Sequence, residues 1–78
     1  MAVTLVYQQF FLMVELTKQE LCILELVAQG LINKEIAQKL NISTATTKAH
    51  LESIYKKLNA HNRVQAVVKA ITLQLIDV

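Results

Sequence analysis

Residues 30–51 read Gly30-Leu31-Ile32-Asn33-Lys34-Glu35-Ile36-Ala37-Gln38-Lys39-Leu40-Asn41-Ile42-Ser43-Thr44-Ala45-Thr46-Thr47-Lys48-Ala49-His50-Leu51, and this stretch decides the fold. Ile36, Ala37 and Leu40 recur at helical spacing while Lys34, Gln38 and Lys39 fall on the other side, so a short amphipathic helix begins near Asn33. It stops at Asn41-Ile42-Ser43, and the Ser43 hydroxyl is suited to cap the next helix. Beyond it Thr47, Leu51, Ile54 and Leu58 fall at i, i+4, i+7 and i+11, the inward stripe of a longer helix. Lys48, Ala49, Glu52 and Lys56 then face outward. A short helix, a tight turn and a longer helix make a helix-turn-helix, whose second helix can enter the major groove of DNA. Ordinary helical hairpins share the spacing, so geometry alone leaves the function open.

Upstream, Leu16-Thr17-Lys18-Gln19-Glu20-Leu21 has the signature of a helix start. Thr17 can cap the amide of Glu20 while Glu20 reaches back, and Leu16 can staple against Leu21. Leu21, Leu24, Val27 and Ala28 follow at helical spacing until Gly30 supplies a left-handed stop, giving a helix from about Lys18 to about Gln29. Cys22, beside Ile23, reads as a small buried hydrophobe. Downstream, Asn59-Ala60-His61-Asn62 is a break, Asn62 is available as a cap, and a last helix covers about Arg63 to about Leu75. The expectation is an all-α fold of four helices.

Seventy-eight residues leave room for one core, and 54% hydrophobic with 18% charged residues is the profile of a folded domain. With no proline and a single glycine, the chain lacks the turn residues that sandwiches and barrels consume. One cysteine excludes an internal disulfide and a cysteine-cluster zinc site, in keeping with a cytoplasmic protein. Residues 1–15 form an apolar N-terminal extension ahead of a domain at residues 16–78. Val3, Tyr7, Phe10 and Val14 repeat at helical spacing, so an extra N-terminal helix is one reading; Thr4-Leu5-Val6-Tyr7 reads equally as strand. Gln8-Gln9 interrupts this segment, which is shorter than the roughly 20 apolar residues of a membrane span. It lacks the basic start and cleavage site of a secretory signal. The apolar start favours a small free-standing protein over a fragment of a larger one.

Net charge is only +2, but its distribution is uneven. Residues 33–69 hold seven basic side chains against Glu35 and Glu52, whereas the rest of the chain holds Lys18 against Glu15, Glu20, Glu25 and Asp77. A basic middle beside an acidic flank fits a nucleic-acid contact, and fits a solvated face less well. No Gly-rich phosphate loop, paired carboxylates or Ser/His/Asp set accompanies it, so the chain reads as no enzyme and implies no cofactor or small-molecule ligand. His50 has Ser53 and Ile54 at the ligand spacings and His61 lies in a loop without Cys or Asp, so no metal site is expected.

Taken in order, Leu16-Thr17-Lys18-Gln19-Glu20, Gly30 to Ala37, Ser43 to Leu51, Ile54-Tyr55-Lys56-Lys57-Leu58 and Arg63-Val64-Gln65-Ala66-Val67 closely resemble the LuxR-type (GerE/FixJ-like) helix-turn-helix DNA-binding domain of bacterial transcription regulators. The resemblance spans about Leu16 to Ile76. It implies four helices, with the third as recognition helix and the fourth often serving dimerisation. It places the base-contacting positions at Lys48, Ala49 and Glu52. There Lys48 can donate to guanine, Ala49 can touch a thymine methyl and Glu52 can accept from cytosine. Phosphate contacts are expected from Lys34, Ser43, Thr44, Thr46, Lys56 and Lys57. For Glu52 an i+4 pair with Lys56, and for Ser43 capping alone, are the plainer readings.

The chain departs from the family at Gln19 (usually Arg), Ile32 (Ser or Thr), Thr47 (Val) and Asn59 (Gly). Ile32 removes a hydroxyl cap that Asn33 can partly replace, Thr47 needs a backbone acceptor for its hydroxyl, and Asn59 can adopt the left-handed conformation. Ala66, Val67, Ala70 and Leu73 can face the core, while Val64, Val68, Ile71 and Leu75 form a second stripe suited to a homodimer interface or to a wrapping N-terminal segment. The expected function is sequence-specific, dimeric regulation of transcription on double-stranded DNA. The alternative is a protein-interaction module of the same fold that does not bind DNA specifically.

Overall fold

The computed structural model describes residues 15–77, so the readings of residues 1–14 lie outside the described residues. Four helices follow in order, α1 (Lys18–Ala28), α2 (Asn33–Leu40), α3 (Thr44–Leu58) and α4 (Arg63–Thr72), with no strand among the described residues. The all-α expectation holds. α3 packs against the other three, and α1 also touches α2 and α4.

α1 begins on the expected capping box: Thr17 Oγ1 accepts from the Glu20 amide at 3.0 Å, and Glu20 Oε1 accepts from the Thr17 amide at 2.9 Å. It buries Glu20, Ile23, Leu24, Leu26 and Val27. Cys22 is exposed rather than buried, and Ala28 is exposed too. Each lies about 120° round the helix from the centre of the inward stripe, which adjacency to Ile23 concealed.

All four helices end the same way. Gly30, Asn41, Asn59 and Gln74 take positive φ angles of 91°, 56°, 53° and 60°. The amide of the following residue reaches five residues back in each case: Leu31 to Leu26, Ile42 to Ala37, Ala60 to Tyr55 and Leu75 to Ala70. This is the Schellman closure, which satisfies the last carbonyls and turns an apolar residue back toward the helix. Leu31, Ala60 and Leu75 accordingly pack against the core.

That closure corrects the last helix. α4 ends at Thr72, and Gln74 reverses the chain, so Leu75 packs inward and leaves the outer stripe. Val64, Val68 and Ile71 remain outside, 72%, 55% and 37% exposed. On the inner side Ala66 and Ala70 are fully buried, their small side chains letting α4 lie close to the rest. Ile23, Leu24, Ile36 and Ile54 form the fully enclosed centre.

Candidate nucleic-acid interface

α3 starts at Ser43, whose Oγ accepts from the Thr46 amide at 3.0 Å and donates to Thr46 Oγ1 at 2.8 Å. Capping therefore accounts for the Ser43 hydroxyl, and it engages Thr46 as well; Thr44 is exposed beside them. One turn on, the fully buried Thr47 donates its hydroxyl to the Ser43 carbonyl at 3.0 Å, the backbone acceptor its position demands. Thr47, Leu51, Ile54 and Leu58 form the buried stripe as expected. The opposite side of α3 carries Ala45, Lys48, Ala49, Glu52 and Lys56, all exposed. The three residues assigned to base contacts thus lie together on one face, in the second helix of a helix-turn-helix.

At α2 the anticipated substitute cap does not form. Ile32 occupies the cap position without a side-chain hydrogen bond and is 60% exposed. Glu35 compensates, accepting from the Ile32 amide at 2.9 Å. Asn33 turns elsewhere: its Oδ1 accepts from Arg63 Nη1 at 2.8 Å, while Arg63 Nη2 donates to the Leu31 carbonyl. One guanidinium thereby ties the start of α4 to the start of α2, and Lys34 stands exposed next to that junction.

A third row on α3, between the buried and exposed faces, is polar. Ser53 donates to Glu20 Oε2 at 2.8 Å, and Lys57 donates to Glu20 Oε1 at 2.7 Å. Glu20 is 3% exposed. Burial pushes its carboxyl up, but the hydrogen bond from Lys57, with those from Thr17 and Ser53, outweighs it and holds the group down at about 2. Lys57, expected among the phosphate contacts, is exposed and pairs with Glu20; Lys34, Lys48 and Lys56 are exposed too. Sequence reasoning missed this grip. Its signal was Glu20 itself, at i−3 and i−4 from Ile23 and Leu24 on the inward stripe, where an acid needs a partner.

His50 is half-buried and His61 exposed, and no group of His, Cys, Asp and Glu able to hold a metal occurs among the described residues. No described helix is long and apolar enough to cross a membrane. A groove between α1 and α4 is lined by Val27, Ala28, Arg63, Val64, Val67 and Val68 and continues the exposed stripe of α4.

Residues 14–70 match the family model of bacterial regulatory proteins, luxR family. The glycerol metabolism activator of Pseudomonas putida is 49% identical over 55 residues, covering 70% of this chain and 25% of that protein. The nitrate/nitrite response regulator protein NarL of Escherichia coli (strain K12) is 46% identical over 54 residues, covering 69% of this chain and 25% of that one. Among solved structures, the response regulator ChrA of a heme-sensing two-component system superimposes with a TM-score of 0.78 at 45% identity, over 80% of this chain and 31% of that chain. The chain thus spans about a quarter of the length of the curated relatives it matches. A family match over most of the chain, on a four-helix fold with an exposed, partly basic face on its third helix, shows that this chain belongs to the luxR family of bacterial regulatory proteins.

Proposed function

We propose that this chain reads specific sequences in double-stranded DNA as the DNA-binding domain of a cytoplasmic transcription regulator, with α3 in the major groove. The observation that carries this reading is the exposed row Lys48, Ala49 and Glu52, set opposite the buried stripe of the second helix of the motif. Lys48 donates to guanine O6 or N7, Ala49 meets a thymine methyl, and Glu52 accepts from cytosine N4. Lys34 and Lys56 contact phosphates, as do Ser43, Thr44 and Thr46 around the start of α3, where amide donors and the helix dipole favour anions. Lys57 acts through Glu20. Two copies join through Val64, Val68 and Ile71, giving a homodimer that pairs two half-sites. The domain itself is no catalyst.

Selection of random duplexes at low and near-physiological salt tests this reading, and an enriched motif with two half-sites is the expected result. On that motif Lys48→Ala lowers affinity by about 1–3 kcal/mol and relaxes preference at one base position. Unchanged affinity and preference would refute the assigned face. The exposed Glu52 on that face and the apolar outer side of α4 favour the alternative, a protein-interaction module. Binding through several phosphates weakens steeply with salt, whereas an apolar interface does not.

A further inference from the structure

The apolar and polar contacts of α3 act differently. Thr47, Leu51, Ile54 and Leu58 decide which side of the helix faces the core. Attraction between hydrocarbon surfaces has no direction; the close packing of these side chains sets the rotation of α3 coarsely, and directional polar contacts set it finely. Ser53 and Lys57, one turn apart, project about a quarter-turn round from that stripe, and both end on the Glu20 carboxylate. Glu20 cannot follow a rotating α3, because its Oε1 also accepts from the Thr17 amide at the start of α1. A side-chain tip stands about 5–6 Å from the axis, so a rotation of about 20° moves it about 2 Å. That takes the short Ser53 side chain out of range and forces Lys57 to rearrange, and it displaces Lys48 and Glu52 by as much.

We propose that Glu20 is a positioning residue: by holding Ser53 and Lys57 it fixes the rotation of α3, and so the base preference of the domain, without touching DNA. This rests on the DNA-reading assignment above. It gives a buried charge, which an apolar pair could replace without loss of stability, a role in specificity.

The test compares the full chain with its Glu20→Gln and Ser53→Ala variants. Anisotropy titrations are run on the selected operator and on a scrambled duplex of equal length, at a temperature where circular dichroism shows each variant folded. Glu20→Gln is expected to lower operator affinity about tenfold, the loss typical of one mismatched base pair. Binding to the scrambled duplex, which depends on phosphate contacts, stays within about twofold. Ser53→Ala, which keeps the ion pair, gives a smaller loss of the same kind and decides alone if Glu20→Gln does not fold. Equal weakening on both duplexes, as a merely structural role predicts, overturns the proposal, as does no change on either. A wild-type chain that prefers no duplex overturns the DNA-reading assignment itself, and this proposal with it.

Discussion

Replacing Glu20 with Gln separates the ion pair from everything else that stabilises the domain, and pH supplies an internal control. The carboxyl sits at about 2 in the fold against an ordinary value of 4.5. Its contribution to stability is therefore fully present above 4.5, declines as acid protonates the unfolded chain first, and is gone once pH falls through about 2. Taken at face value the difference is worth about 3 kcal/mol. Lys57 is 34% exposed, so solvent screens part of the attraction, and about 2 kcal/mol is the expected value. For a domain of this size, whose whole stability is roughly 4–12 kcal/mol, that is a large share. Urea melts of wild type and Glu20→Gln at pH 7, 5, 4 and 3 measure it. The wild-type advantage should hold between pH 7 and 5 and shrink by about half near pH 3. A gap that stays constant from pH 7 to pH 3 would mean that shape alone, not charge, makes Glu20 matter.

Three further substitutions probe other features. Ile32→Ser gives α2 the hydroxyl cap it lacks and should add about 1 kcal/mol, raising Tm by about 4–8 °C in a thermal melt. Asn59→Gly relieves the left-handed conformation while keeping the carbonyl that Lys69 grips, and should stabilise by about 0.5–1 kcal/mol in urea melts. Val68→Glu puts a charge on a side chain already 55% exposed, so the fold should survive while self-association, measured by sedimentation velocity, is lost. A wild-type chain that sediments as a monomer at all concentrations removes the dimer from the proposed function.

Local signals made most of the fold legible. The Thr17–Glu20 box, the Ser43 and Asn62 caps and the Gly30 stop each act within a few residues, so the helix boundaries follow from neighbouring side chains. The exposed row on α3 followed from period alone. Errors arose where the outcome depended on something distant or on an unnoticed turn. Leu75 was assigned outward because the stripe was extended past a stop that Gln74, a poor left-handed residue, does not advertise. Asn33 was read as a cap because its partner, Arg63, lies 30 positions along the chain. The pairing of Lys57 escapes the sequence for the same reason, with Glu20 separated by 37 positions. Cys22 lies on the outer side because helical angle, not adjacency to Ile23, decides its exposure.

The double attachment of Arg63 has a consequence for assembly. Its guanidinium fastens the start of the helix proposed to meet a second copy onto the start of the helix that carries Lys34. In a dimer built through α4, any change in the angle between the two copies would travel through that joint, and through the packing of α4 on α1 and α3, to the groups proposed to rest on the sugar–phosphate rails. The distance between half-sites on an operator would then be gauged by a short, stiff linkage. Such a domain would act as a calliper with fixed jaws, tolerant of what the intervening base pairs are and strict about how many there are.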